Sequence, residues 1–85
     1  MSDKPYAFHT DPGHGWLEVP LSSCVGLDIS VYSYKNETHA FLEEDSDAIT
    51  WMKHHHVTGR DIRPEYHNEE CFIRSLDVYT QEAIA

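Results

Sequence analysis

The feature that most constrains the fold is the pentapeptide DPGHG at Asp11–Gly15, which separates two segments that look like β-strands. Proline fixes φ near a turn value, glycine accepts positive φ, and aspartate accepts hydrogen bonds from the backbone ahead of it. Before this turn, Tyr6–His9 alternates aromatic with small or polar residues; after it, Trp16–Val19 is again extended and ends at Pro20. Alternation with a period of two is typical of strands with one buried face. We therefore predict a first β-hairpin.

A second hairpin is predicted further along the chain. Ile29–Tyr34 and His39–Glu43 are rich in aromatic and branched residues, and the polar tetrapeptide Lys35–Thr38 lies between them. This is the pattern of strand, turn and strand. Between the two hairpins, Leu21–Val25 is expected to form one short helical turn that Gly26 closes.

A third hairpin is predicted from Asp61–Tyr66 and Cys71–Arg74, which flank the polar sequence HNEE at His67–Glu70. Pro64 has no backbone N–H to donate, so it indicates that the first of these strands lies at the edge of the sheet. The tail from Asp77 is expected to be either a frayed helix or disordered.

One principal helix is predicted from about Asp47 to Val57, with Gly59 stopping it. Ser46 suits the N-cap, and apolar side chains recur at spacings of three and four. The residues on that face are Ala48, Ile49, Met52 and His56. The sequence thus predicts an α+β fold, an antiparallel sheet built from hairpins with this helix packed on one face. We expect a single domain over residues 1–85, with residues 1–5 and about 80–85 disordered.

The charge of the chain limits its partners. Fifteen acidic and six basic side chains give a formal net charge of −9. Such a charge repels nucleic acids and anionic membranes and attracts basic surfaces. No apolar run approaches the roughly 18 residues of a membrane helix, and the first residues lack the apolar stretch of a signal peptide. We therefore expect a cytoplasmic protein that binds neither nucleic acid nor membrane directly.

Cysteine and histidine spacing gives little indication of a metal site. Cys24 and Cys71 are far apart and form no CxxC motif, so we expect two reduced core side chains. His54–His56 are consecutive, and on a helix their side chains would point about 100° apart. Zinc would need distant histidines to converge, among them His9, His14, His39 and His67, and no spacing specifies this. We expect no metal and no cofactor.

An acidic cluster and two tyrosines are the predicted partner contacts. The cluster consists of Glu43, Glu44, Asp45 and Asp47. Helix capping, a protein-binding patch and a Mg²⁺ site are three interpretations of it, and the first follows most directly from its position at a helix start. Tyr32 and Tyr34 share one face of a predicted strand and would suit an interface.

His14 is the residue of the DPGHG turn that turn formation does not require. A histidine there could contact a ligand or partner, or act as a general base with Asp11 close by. The phosphate-binding glycine motifs and the GxSxG elbow are absent. Trp16 for stacking and Arg74 for polar contacts complete the predicted ligand contacts.

The order of the motifs resembles a group of small hypothetical proteins encoded by bacteriophages and related mobile elements. The similarity covers roughly residues 6–48 and rests on Phe8, DPGHGWLEV at 11–19, Ile29-Ser30, YSY at 32–34, and LEED at 42–45 with Asp47-Ala48. The group has LEEDCDA where this chain has LEEDSDA, so Ser46 replaces a cysteine and no thiol function is expected there. The resemblance implies a phage origin and supplies no catalytic residues.

Three functions are therefore compared. The first is an acidic, non-enzymatic phage protein that binds and inhibits a host protein with a basic surface, such as a nucleic-acid-handling or defence enzyme. The second is a protein, monomeric or homo-oligomeric, that binds a nucleotide-like small molecule. The third is a compact hydrolase or metal enzyme that uses Asp11 and His14.

Overall fold

The computed structural model describes residues 5–80, which form one α-helix and a six-stranded, mostly antiparallel sheet. This confirms the predicted α+β fold. The strands are β1 (Tyr6–Thr10), β2 (Gly15–Pro20), β3 (Tyr34–Lys35), β4 (His39–Glu43), β5 (Ile62–Tyr66) and β6 (Asp77–Val78), and the helix is α1 (Asp47–His55). Short 3-10 turns occur at Leu21–Cys24, Gly59–Asp61 and Phe72–Ser75.

The first predicted hairpin is confirmed. β1 and β2 pair in an antiparallel register in which Phe8 faces Leu17 and Thr10 faces Gly15. β2 continues the sheet by pairing with β4, and the full strand order is β5-β1-β2-β4-β3-β6. The predicted turn after Pro20 is a 3-10 turn, and Gly26 beyond it has a φ of 87°. That backbone conformation favours glycine.

The second hairpin is shorter than predicted, because only Tyr34–Lys35 pair with β4 on that side. The preceding segment is held as a loop by the buried carboxylate of Asp47. Its Oδ2 accepts hydrogen bonds from the N–H and hydroxyl of Ser30 and from the hydroxyl of Ser33. The bond to the Ser30 N–H satisfies a backbone donor outside the sheet, and the two hydroxyl bonds anchor the loop to the start of α1.

The third predicted hairpin is wrong. β5 pairs in parallel with β1, and Phe72–Ser75 forms a 3-10 turn instead of a strand. The carboxylate of Asp11 explains this placement, since it binds the backbone N–H of Cys71 and the guanidinium of Arg74. These bonds hold the segment from Cys71 to Arg74 against one face of the sheet. Pro64 lies in β5, an edge strand of this sheet, as the missing N–H predicts.

Helix α1 begins at Asp47 as predicted and ends at His55, two residues before the predicted end. His56 has a left-handed φ of 56°, and Val57 donates its N–H to the carbonyl of Met52. This closes the helix in the manner of a Schellman cap and directs the buried Val57 side chain into the core. Gly59 therefore belongs to the next 3-10 turn and does not stop the helix.

The two faces of the sheet carry different side chains. The helix face, the side that α1 covers, packs the largest cluster, including Leu17, Val19, Leu42 and Trp51. Alternation along the strands sends Trp16, Phe41 and their neighbours to the opposite side, which we call the second face. The 3-10 turn at Phe72–Ser75 covers part of that second face, and Ile73 within it and Cys71 just before it belong to the core there.

Both cysteines are free and buried, in agreement with the sequence-based expectation. Cys24 belongs to the cluster on the helix face and Cys71 to the cluster on the second face.

Within residues 5–80, no helix is long and apolar enough to cross a membrane. In the predicted tail, Asp77–Val78 form β6, and the predictions for residues 1–4 and 81–85 lie outside the described residues.

Candidate binding site on the second face

The carboxylate of Asp11 organises the turn between β1 and β2. Its Oδ1 accepts hydrogen bonds at 2.9 Å from the backbone N–H groups of Gly13 and His14, as the turn interpretation requires. The same carboxylate receives a forked bond from Arg74, with Nε 2.7 Å from Oδ2 and a terminal nitrogen 3.0 Å from Oδ1. The N–H of Cys71 also donates to Oδ2, at 3.0 Å.

These hydrogen bonds strongly affect the pKa of the Asp11 carboxyl. The hydrogen bond from Arg74, followed by that from the Cys71 N–H, holds the pKa of Asp11 well below its usual range. The side chain of Asp11 is 1% exposed and that of Arg74 is 29% exposed, so the pair joins a buried carboxylate to a partly exposed guanidinium. The turn residue thus fixes a cation more than sixty positions away in the sequence.

The two glycines of the turn allow close approaches. A Cβ atom at Gly13 would lie 2.9 Å from a guanidinium nitrogen of Arg74, which Asp11 holds in place. A Cβ atom at Gly15 would lie 2.8 Å from the ring of Phe8 and 2.6 Å from a carboxylate oxygen of Glu44. Both positions therefore require the absence of a side chain.

Arg74 lies over the indole of Trp16, with its guanidinium carbon 5.2 Å from the ring centroid. This is cation–π geometry. Trp16 also contacts the ring of Tyr34 edge to face at 6.2 Å and that of His14 at 5.9 Å. With 2% exposure, Trp16 forms the floor of a depression and does not present a free stacking face.

The depression is a pocket of about 370 Å³ on the second face. It gathers six side chains that the sequence indicated separately, as partner contacts or as ligand contacts. The lining residues are His14, Trp16, Val31, Tyr32, Tyr34, Glu43 and Arg74. The structure therefore joins the two predicted sets into one aromatic and charged site, which we call the aromatic pocket.

The tyrosines reach this pocket from different elements. Tyr34 lies in β3 and is half-buried, whereas Tyr32 lies in the preceding loop and is 74% exposed. The prediction that they share a strand face is wrong, because β3 begins only at Tyr34. Val31 was missed; it is 63% exposed beside Tyr32, and its place in an expected strand made it resemble a core residue.

The acidic cluster divides into two parts. Glu43 lines the aromatic pocket, whereas Glu44 and Asp45 are exposed and do not line it. Asp47 is 2% exposed and accepts the hydrogen bonds of Ser30 and Ser33 described above. Asp47 is therefore a structural group at the start of α1, and we leave it out of the binding surface.

His14 is exposed at the edge of the pocket, and Asp11 contacts its backbone N–H. Among residues 5–80, no hydrogen bond to the His14 imidazole is observed, so no Asp–His pair is formed there. A general base is normally oriented by such a partner. The geometry gives more support to a contact role for His14 than to catalysis.

A second group of polar side chains lies further along the same face. His9 Nδ1 is 3.1 Å from His67 Nε2, and His9 Nε2 is 2.8 Å from a carboxylate oxygen of Glu18. Cys71 lies beside the two rings, and its thiol and the two imidazoles have donor atoms within 4.8 Å of one another. Sequence spacing did not predict this convergence, although Cys71 follows His67 by four residues.

The run His54–His56 does not join this group. All three side chains are exposed at the end of α1. His55 Nε2 bonds the carbonyl oxygen of Ser23 at 2.9 Å, and its ring packs on Trp51.

Comparison of the chain with protein-family models, curated proteins and solved structures finds no match.

Proposed function

We propose that this is a non-enzymatic binding protein whose aromatic pocket receives a lysine or arginine side chain from the basic surface of a partner protein. The observation that carries this proposal is the position of Glu43, which lines the pocket together with the rings of Tyr32 and Tyr34. An acidic group among aromatic rings favours a cation, since the ring faces and the carboxylate both attract positive charge.

Arg74 already lines the pocket, but its positive charge does not oppose the binding of a second cationic side chain. The charge of Arg74 is neutralised by the forked bond to Asp11, and a carboxylate oxygen of Glu70 lies 3.9 Å from its Nε. Glu43, in contrast, has no ion pair within residues 5–80. The negative charge that remains for a partner is therefore that of Glu43.

The rim of the pocket supplies apolar contact area. Tyr32 and Val31 are 74% and 63% exposed on the loop before β3. Tyrosine is enriched at protein interfaces because its ring gives contact area and its hydroxyl gives a hydrogen bond. Tyr32 is our proposed anchor residue.

The remaining acidic residues would guide the encounter. Glu44 and Asp45 are exposed and directly follow Glu43 in the sequence, and the whole chain carries a formal charge of −9. A field of this sign attracts basic proteins and raises association rates at low ionic strength. The resemblance to phage proteins supports a host protein as the partner. A nucleic-acid-handling or defence enzyme presents the lysine and arginine groove that such a surface would occupy.

A capture experiment from host lysate at low salt tests the proposal. Wild-type protein should retain a basic, nucleic-acid-binding protein, and Glu43→Gln and Tyr32→Ala should each retain much less of it. Glu37→Gln removes the same charge from an exposed position outside the aromatic pocket and should behave as wild type. Equal retention by all four proteins, or retention of no basic protein, would overturn the proposal.

A nucleotide-like small molecule is the second candidate ligand. The pocket volume of about 370 Å³ lies within the range of small-molecule sites, and Arg74 offers polar contacts. However, the Trp16 ring is buried beneath Arg74, so the exposed Tyr32 would have to provide the stacking. Thermal shift with a nucleotide panel separates the candidates, because a tight ligand raises the melting temperature of wild type but not of Tyr32→Ala.

A further inference from the structure

We propose that His9, His67 and Cys71 form a zinc-binding site on the second face, separate from the aromatic pocket. The three side chains offer two imidazole nitrogens and one sulfur, all within 4.8 Å of one another. These are the ligand types that Zn²⁺ prefers. Three protein ligands leave a fourth tetrahedral position for water or another ligand.

The histidine pair is already close to the spacing that a metal needs. Two Zn–N bonds of about 2.0–2.1 Å at a tetrahedral angle hold their nitrogens about 3.3 Å apart. His9 Nδ1 and His67 Nε2 are 3.1 Å apart. With a Zn–S bond of about 2.3 Å, the sulfur would lie about 3.6 Å from each nitrogen. The Cys71 thiol therefore needs to move by about an ångström at most.

Glu18 provides the support that metal-binding histidines usually have. Its carboxylate accepts a hydrogen bond from His9 Nε2 at 2.8 Å, so the neutral His9 ring keeps its proton on Nε2. The lone pair of Nδ1 is then directed away from Glu18 and toward His67. A carboxylate that fixes the tautomer in this way orients the ring and makes it a better ligand.

The proton balance of metal binding is simple. In the metal-free protein, the bond between the rings requires His67 to donate from Nε2 to His9 Nδ1. In the zinc form, the His67 ring carries its proton on Nδ1, and both facing nitrogens bind the metal. The Cys71 thiol releases one proton to solvent as the Zn–S bond forms.

Backbone bonds hold all three ligands in place. His9 lies in β1, and the N–H of His67 donates to the carbonyl of Thr10 at 2.8 Å. The N–H of Cys71 donates to Asp11. The ring of Phe72 packs edge to face on His9 and forms an apolar wall. His67 is half-buried, which leaves one side of the group accessible to solvent.

Titration of the purified, metal-free full chain with Co²⁺ tests the proposal, because cobalt accepts the same ligands and reports on them by absorption. We expect one equivalent to produce a thiolate-to-cobalt band, and one equivalent of Zn²⁺ to abolish it. Cys71→Ser should lose this band, and Cys24→Ser, which removes a buried thiol on the helix face, should keep it. Glu18→Gln should weaken zinc binding by about 10- to 100-fold.

Two further variants keep the test decisive. His67→Gln changes a half-buried side chain, so it should fold even where Cys71→Ser does not, and it should lose tight binding. A triple variant of the exposed run, with His54→Gln, His55→Gln and His56→Gln, should bind as wild type. Absence of a thiolate band in wild type, or zinc binding that survives His67→Gln and fails in the triple variant, would overturn the proposal.

Discussion

The helix face and the second face of the sheet use their polar groups in different ways. On the helix face, the carboxylate of Asp47 is occupied by Ser30 and Ser33, and the indole N–H of Trp51 donates to the hydroxyl of Ser23. On the second face, Glu43 lines a pocket and has no ion pair within residues 5–80, although His9 on the same face is bonded within the fold to His67 and Glu18.

This difference indicates where function lies. Polar groups whose hydrogen bonds are used within the fold contribute to its stability, whereas groups that face a pocket remain available for ligands. The helix face should therefore respond to substitution by losing stability. On the second face, the buried cluster around Trp16 and Phe41 should also lose stability, whereas the accessible pocket residues Tyr32 and Glu43 should lose binding while the fold remains intact.

The largest expected contrast compares two aromatic residues. Trp51→Ala on the helix face should reduce the free energy of unfolding by about 3–5 kcal/mol, because a fully buried ring leaves a cavity. Tyr32→Ala, at a residue 74% exposed, should change it by less than about 0.5 kcal/mol. Urea denaturation measures both values, and a comparable loss for the two variants would break the distinction between the faces.

The next contrast compares two acids at the start of α1. Asp47→Ala should cost about 3 kcal/mol, because it leaves the buried hydroxyl of Ser33 and the N–H of Ser30 without their acceptor. Asp45→Ala removes the same charge from an exposed position and should stay within about 0.5 kcal/mol of wild type. Thermal unfolding distinguishes them, and similar melting temperatures would contradict the structural role of Asp47.

Alkaline pH should weaken the helix face. Burial, with a smaller contribution from the charge of Asp47, raises the pKa of Cys24 from 9.0 to about 11. Burial likewise raises the pKa of Tyr79 from 10.0 to about 12. Both groups ionise more readily in the unfolded chain, so the stability they contribute is complete below pH 9 and is lost as pH rises.

For Cys24, the loss should approach about 3 kcal/mol above pH 11, since each unit of pKa is worth about 1.4 kcal/mol. Urea denaturation from pH 8 to pH 11 measures it. Cys24→Ala should show a smaller decline over the same range because it lacks this thiol. An identical decline in wild type and Cys24→Ala would show that the thiol is not responsible.

Local sequence patterns predicted the parts of the fold that local interactions determine. The β1–β2 hairpin follows from alternation around a turn whose aspartate bonds its own backbone. The start of α1 was predicted at the right residue, although the Ser46 side chain makes no capping hydrogen bond and the Asp47 carboxylate binds Ser30 and Ser33. The third hairpin failed because the parallel pairing of β5 with β1, and the bond from Arg74 to Asp11, join segments that are distant in sequence.

The same reason limits prediction of the site. His14, Trp16, Tyr32, Tyr34, Glu43 and Arg74 were each indicated by residue type, but their convergence depends on the sheet order and on the Asp11–Arg74 ion pair. Asp47 was included in the acidic surface because its burial depends on the loop that contains Ser30 and Ser33. Charge and composition do not encode which carboxylate in a cluster is buried.

The central claim is that the aromatic pocket on the second face binds cationic side chains through Glu43. Two-dimensional amide NMR of the labelled protein, titrated at low salt with a short arginine-rich peptide, tests it most directly. We predict that shift changes concentrate at His14, Tyr32, Tyr34 and Glu43, and that Glu43→Gln weakens binding severalfold while Glu37→Gln leaves it unchanged. Shift changes spread evenly over all exposed acidic residues, with equal weakening by the two substitutions, would contradict the claim.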